Sequence, residues 1–282
     1  MKWPGGKRWL TPLVSEILKR ELDGCYYEPF LGGGAVFLAV NPDTAVLSDT
    51  NSQLIDFYET CVSDPKKVSD LALQHPNSEE CYYRVRSSRP RLPETKAGRF
   101  LYLNKTCWGG VYRLNRLGQF NVPFGKSGRK ICNRESVELT ARLFGAAVIL
   151  CCDFAESFQM TQKGDVVFAD PPYTSRGQFN GFVRYNEKLF SWQDQVRLSK
   201  AAKAARRRGT FVTVCGSFHR DVLSLYERFW VLEVRRKSCV AKCPDARRTV
   251  SECLIFSRKP KANVSGLQRV SSAFLRSVPH GE

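Results

Sequence analysis

Along this chain, short runs of consecutive apolar residues alternate with stretches in which apolar residues recur every three or four positions. The first kind reads as strands buried on both faces, the second as helices with one apolar face. Helical spacing covers residues 13–22, with Leu13, Ile17 and Leu18 on one side; strand, glycine-rich turn and helix follow over 25–38. The next strand, 45–48, ends at Asp49 and leads into a helical pattern over 51–61. From 51 to 145 helical patterns take over, rich in Arg, Lys and aromatics. Alternation resumes with strands at 147–152, 165–169 and 210–215, and with an amphipathic helix over 192–208 whose end, Arg206-Arg207-Arg208-Gly209, suits a helix C-terminus. Segments 230–235 and 252–256 are expected to pair antiparallel, and the tail from 260 carries helical spacing at Leu267, Val270, Phe274 and Leu275. The pattern predicts a doubly wound, Rossmann-like α/β sheet interrupted by a mainly helical insert. Residues 1–53 and 146–259 form the sheet domain, 54–145 the insert and 260–282 a basic tail.

Composition narrows the class of partner. With 282 residues, 43% of them hydrophobic, the chain can bury a sizeable core. Lys+Arg 44 against Asp+Glu 27 gives a net charge of +17, which points to a polyanion, nucleic acid first. No apolar run is long enough to span a bilayer, and the first residues lack a signal peptide's apolar core, so a soluble, cytoplasmic protein is expected. The 11 cysteines are scattered, several inside apolar runs, and read as reduced core thiols. Cys239 and Cys243 lie four apart without the second pair a zinc site needs, and no metal is expected.

Candidate chemistry collects at strand ends. Asp170-Pro171-Pro172-Tyr173 directly follows the apolar strand 165–169, at the carboxyl end where open α/β sheets bind ligands. These four residues suit one task, making an aromatic amine attack an electrophile. The amine's lone pair is delocalised into its ring. An ionised Asp170 accepting one N–H, with the Pro171 carbonyl accepting the other, draws the nitrogen towards tetrahedral geometry and frees the lone pair. Pro171 and Pro172 keep the turn extended, and Tyr173 offers a ring on which a base stacks. An ordinary Asp-Pro turn is the alternative. Gly32 and Gly34 sit in a turn that brings backbone N–H groups close to a ligand, and Asp49 ends the second strand, where ribose hydroxyls of an adenosine-containing cofactor are held. A helix N-cap is the other reading of Asp49. Trp3 and Lys7 flank Gly5-Gly6, a Gly-Gly-Lys triplet without the strand and spacing of a phosphate loop. Asp153-Phe154 offers a carboxylate and a ring for adenine. In the insert, residues 103–126 interleave aromatics, Asn and Arg with glycines, a hairpin-like loop in which Asn115, Arg116 and Asn121 suit base edges and Lys126, Arg129 and Lys130 suit phosphates. Residues 178–188 read as a polar loop over the site, and 236–248 as a basic, DNA-facing loop.

Taken in order, these blocks resemble the Dam-like family of adenine-specific DNA methyltransferases. Lys2-Trp3-Pro4-Gly5-Gly6-Lys7 is similar to the family's Lys-Trp-Ala-Gly-Gly-Lys, Glu28-Pro29-Phe30-Leu31-Gly32-Gly33-Gly34 to its Glu-Pro-Phe-x-Gly-x-Gly, and Ser48-Asp49-Thr50-Asn51 to its Asp-x-Asn. Phe120-Asn121-Val122-Pro123-Phe124-Gly125 and Asp170-Pro171-Pro172-Tyr173 resemble its most distinctive blocks. The resemblance implies S-adenosyl-L-methionine as methyl donor, held by Trp3, Lys7, Phe30, Gly32, Gly34, Asp49, Asp153, Phe154 and Asp170. It implies an adenine flipped out of duplex DNA onto Tyr173, with Asp170 and Pro171 gripping its amino group. Arg113 matches an arginine that reads guanine, Pro123 another base contact and Trp108 an aromatic wedge. Where the family commonly has Tyr-Asn, this chain has Trp108-Gly109, so GATC is an expectation with one recognition side chain missing. A cognate restriction endonuclease and a monomer on DNA complete what the resemblance implies. An amino-cytosine methyltransferase and a catalytically silent nucleic-acid-binding protein remain as alternatives.

Overall fold

The computed structural model describes residues 1, 3, 5–115, 117–126, 130–173, 190–237 and 249–278. Arg116, Arg129, residues 178–188, Cys239 and Cys243 lie outside them, as does all of the stretch 236–248 except the backbone of Arg236 and Lys237. In chain order the first elements are α1 (Thr11–Glu21), β1 (Tyr26–Glu28), α2 (Ala35–Val40), β2 (Ala45–Asp49), α3 (Ser52–Ser63), α4 (Pro65–Leu73), α5 (Glu79–Ser87), α6 (Pro93–Thr106), a 3₁₀ turn (Trp108–Gly110) and α7 (Arg134–Gly145). Then come β3 (Ala147–Cys151), α8 (Phe154–Met160), β4 (Val166–Ala169), α9 (Trp192–Arg208), β5 (Phe211–Ser217), α10 (Arg220–Ser224), β6 (Trp230–Lys237), β7 (Thr249–Phe256), β8 (Gln268–Arg269) and α11 (Ser272–Ser277). The fold is α/β and Rossmann-like, as the alternation predicts. Two compact units divide the chain, Met1–Ser15 with Leu31–Cys151 and Glu16–Phe30 with Cys152–Glu282.

In the first unit β2 and β3 pair in parallel from Ala45↔Ala147 to Asp49↔Cys151. Helices α3 to α7 pack against one another around aromatic side chains, with Tyr58 stacked on Phe144 at 4.3 Å and Phe57 on Phe100 at 5.0 Å. Their starts are written in the sequence. Asn51, Asp64, Ser78 and Asn133 each accept a backbone N–H with their side chain, and Pro65 occupies a first-turn position whose N–H needs no partner.

In the second unit the strand order is β1-β4-β5-β7-β6-β8, parallel across β1, β4 and β5 and antiparallel beyond. All four residues of β4 are buried, as a strand covered on both faces requires. The strand enters from Asp165, whose carboxylate accepts from Cys25 N at 2.8 Å and Gln162 N at 2.7 Å. Helix α9 opens with a reciprocal Ser191–Asp194 cap and closes at Gly209 in the left-handed region. Beyond residue 260 the helical spacing gives way. Gln268 and Arg269 pair with Val231 and Trp230 of β6, and helix begins only at Ser272. Strand pairing outcompetes the periodicity because Val270 N donates to Phe229 O and Arg228 N to Val270 O, burying Val270 in an extended segment.

Candidate active site and recognition loop

In the first unit the glycine turn is fastened to the end of β2. Gly32 N donates to Asp49 Oδ2 at 3.0 Å, Leu31 N to Ser48 O at 2.9 Å, and the Tyr58 hydroxyl to Gly32 O at 2.9 Å. Gly32 and Gly34 have φ of 47° and 63°; a Cβ on Gly32 would stand 2.6 Å from Trp3 Cδ1, and one on Gly34 2.7 Å from Phe144 Cζ. Both positions therefore require glycine. Trp3 also stacks on Tyr112 at 5.4 Å, and Lys7 is buried, with Nζ donating to Gly5 O at 2.8 Å. Asp49 is not the cap of α3. Asn51 caps that helix, while Asp49 Oδ1 accepts from Asn51 N at 3.0 Å. Burial pushes the Asp49 carboxyl up, and the surrounding backbone N–H bonds oppose the shift. A carboxylate has about four acceptor positions, so those N–H bonds leave room for a hydroxyl.

The loop 107–125 is closed by bridges between Cys107 and Phe124 and between Leu114 and Phe120. Tyr82 supports it from below, its hydroxyl donating to Val122 O at 2.8 Å. At its tip the candidate recognition side chains hold one another. Arg113 Nε donates to Asn121 Oδ1 at 2.8 Å, and Asn115 Oδ1 accepts from Leu117 N and Gln119 N, both at 2.9 Å. Trp108 and Leu117 are 59% and 79% exposed, and Arg113, Pro123 and Lys126 are exposed as well. Gly109 follows Trp108 with φ of 65°, a conformation that disfavours other side chains.

In the second unit Asp153 caps α8: its Oδ1 accepts from Ala155 N at 2.9 Å, and Glu156 returns the bond to Asp153 N. The same Oδ1 accepts from Arg197 Nη2 at 2.8 Å. The Arg197 guanidinium lies 4.9 Å from the centre of the Phe154 ring, which stacks on Phe30 at 5.4 Å and meets Phe190 at 5.8 Å. Phe30, Asp153 and Phe154 thus form one cluster, with Arg197 as a member that sequence reading missed.

Asp170 leaves β4 at its carboxyl end, followed by buried Pro171 and half-buried Pro172 and Tyr173. The Tyr173 hydroxyl donates to Glu252 Oε2 at 3.0 Å. Burial, then the neighbouring Asp170, Cys215 and Glu252, hold the Tyr173 pKa well above its ordinary value, so it remains a protonated donor. Glu252, in β7, was also missed. Its signal was an acid set against Cys253-Leu254-Ile255-Phe256, since buried carboxylates are rare unless partnered.

Among the described residues, no helix is long and apolar enough to cross a membrane. The family model described as D12 class N6 adenine-specific DNA methyltransferase matches residues 3–239. The chain is 31% identical over 265 residues to the type II methyltransferase M1.LlaDCHI of Lactococcus lactis subsp. cremoris, covering 90% of this chain and 93% of the relative. It is 30% identical over 282 residues to the type II methyltransferase M.MjaIII of Methanocaldococcus jannaschii, covering 91% and 98%. It is 29% identical over 263 residues to the DNA adenine methylase of Escherichia coli strain K12, covering 90% and 93%. The match extends over most of the chain, to a family whose name states both the base and the atom. The chain belongs to the D12 class of N6 adenine-specific DNA methyltransferases.

Proposed function

We propose that this protein transfers a methyl group from S-adenosyl-L-methionine to N6 of an adenine flipped out of a short duplex sequence, with GATC the first candidate. The observation that carries the reading is the Asp170–Tyr173 turn at the end of a buried parallel strand, its tyrosine already anchored by hydroxyl. The donor supplies an electrophilic methyl on a sulfonium centre. Asp49, with acceptor capacity beside the glycine turn, suits its ribose; Phe30, Asp153 and Phe154 suit its adenine; Trp3, Lys7, Gly32, Gly34 and Asp170 are the other candidates for holding it. Asp170 and the Pro171 carbonyl take the two N–H groups of the target amine, which turns its lone pair away from the ring. Tyr173 stacks on the base. Once methylated, the nitrogen is acidic and its surplus proton passes to water, so no strong base is needed.

Residues 1–53 and 146–259 serve as the catalytic domain and 54–145 as the recognition insert. Trp108, Arg113, Asn115, Asn121 and Pro123 read the duplex, and Lys126 holds a phosphate; Arg116, assigned to the same surface, lies outside the described residues. The enzyme acts as a monomer in the cytoplasm on chromosomal DNA, and the type II names of two relatives fit a partner restriction endonuclease.

The test is single-molecule sequencing of DNA from a methylation-deficient cell that expresses the chain. Modified adenine in one short motif is the expected result and gives the recognition sequence directly. Unmodified DNA in cells that contain the folded protein would overturn the proposal.

A further inference from the structure

Glu252 occupies an unusual place for a carboxylate. It is 2% exposed, in a strand whose next four residues are all buried, and it lies outside the family-matched stretch 3–239. Its backbone is locked from both sides, in register with Ser217 of β5 and Val234 of β6. Burying an ionised group is costly, and a well-packed apolar residue commonly serves a strand as well or better. The hydrogen bond from Tyr173 gives this carboxylate a task, because Tyr173 ends the turn that begins at Asp170.

We infer that Glu252 is a positioning residue for methyl transfer, which fixes the Tyr173 ring and makes its face more electron-rich. The inference rests on the reading of Tyr173 as the platform for the target base. A phenol whose proton is drawn towards a carboxylate feeds electron density into its ring. The target amine is neutral before transfer and carries positive charge while the new N–C bond forms and the S–C bond breaks. An electron-rich face attracts positive charge, so the interaction is stronger in the transition state than in the ground state, which is the condition for raising a rate. The high pKa of Tyr173 keeps the proton on the phenol, so the hydrogen bond persists throughout. A carboxylate that only tied β7 to the turn would affect stability and leave the chemical step alone.

Single-turnover transfer of labelled methyl from S-adenosylmethionine to a duplex oligonucleotide separates the two roles, using the full chain and the variants Glu252→Gln, Tyr173→Phe, Tyr173→Ala and the Gln/Phe double variant. Glutamine keeps the volume and an acceptor oxygen and removes the charge. The expected results are a rate lowered about tenfold by Glu252→Gln with duplex affinity retained, a similar loss for Tyr173→Phe, and a double variant no slower than either single one. A wild-type rate for Glu252→Gln, or the same fractional loss in the Tyr173→Phe background, would overturn the inference. Should the glutamine variant fold poorly, Tyr173→Phe alone decides, and an unchanged rate there refutes the role of the hydroxyl. Tyr173→Ala distinguishes the underlying reading: full activity in that variant removes the platform itself, whereas loss there with full activity in Glu252→Gln removes only the inference.

Discussion

The turn after β4 and the loop over residues 107–125, the two segments proposed to meet the substrate, are supported in opposite ways. Tyr173 is gripped from the interior by a buried carboxylate on a strand paired along both edges. Arg113, Asn115 and Asn121 hold each other or the loop's own backbone at the surface, while Trp108 and Leu117 stand in solvent. The difference follows from the work proposed for each. Chemistry on one atom needs groups fixed to within a fraction of an ångström, which only packed surroundings provide. Reading base edges needs exposed donors, and the Arg113–Asn121 bond prevents a long side chain from paying its full ordering entropy on contact.

Mutations sharpen this contrast. Asp170→Ala should lower single-turnover transfer at least about 100-fold with the thermal midpoint unchanged, since it deletes a principal stabilising group of the interior-supported turn; retention of a tenth of the rate would break the proposed grip. Arg113→Ala should cost about 1–3 kcal/mol of discrimination at a single base pair, measured as relative rates on duplexes varied one position at a time. Uniform loss across all those duplexes would reassign Arg113 to the backbone. Asn115→Ala removes the acceptor shared by Leu117 N and Gln119 N and should weaken the cognate complex by about 1 kcal/mol without moving the unfolding midpoint, because the turn it shapes is exposed. The smallest effect belongs to Lys126→Ala, which should weaken binding to every sequence alike and reduce the slope of log affinity against log salt by about one.

Legibility in the sequence followed how local each cause is. Strand β4, helix α9 with its closing Gly209, and the antiparallel β6–β7 pair are readable from runs of neighbouring residues. In the tail the spacing of Leu267, Val270, Phe274 and Leu275 fits a helix; Phe274 and Leu275 do lie in α11, while Gln268 and Arg269 pair instead with β6, more than thirty positions away. Asp49 was recognised as a strand-end acid, yet its bond to Gly32 spans 17 positions and could not be distinguished from a cap. Glu252 was farther still, 79 positions from the tyrosine it anchors. What sequence reading missed at the site was its support, the groups that touch the candidate residues from other strands and helices.

The placement of β7 between β5 and β6 also gives the protein a history during synthesis. Among the described residues, every partner of β6 lies later in the chain than β6 itself, and β5 has one edge to be filled by β7. A ribosome that has completed Lys237 but not Thr249 therefore carries a nascent chain with open strand edges. Open edges are templates for pairing with other chains, so this interval is one in which aggregation competes with folding. A chain released before Thr249 would keep those edges permanently, and poor solubility of such truncations is the outcome to expect.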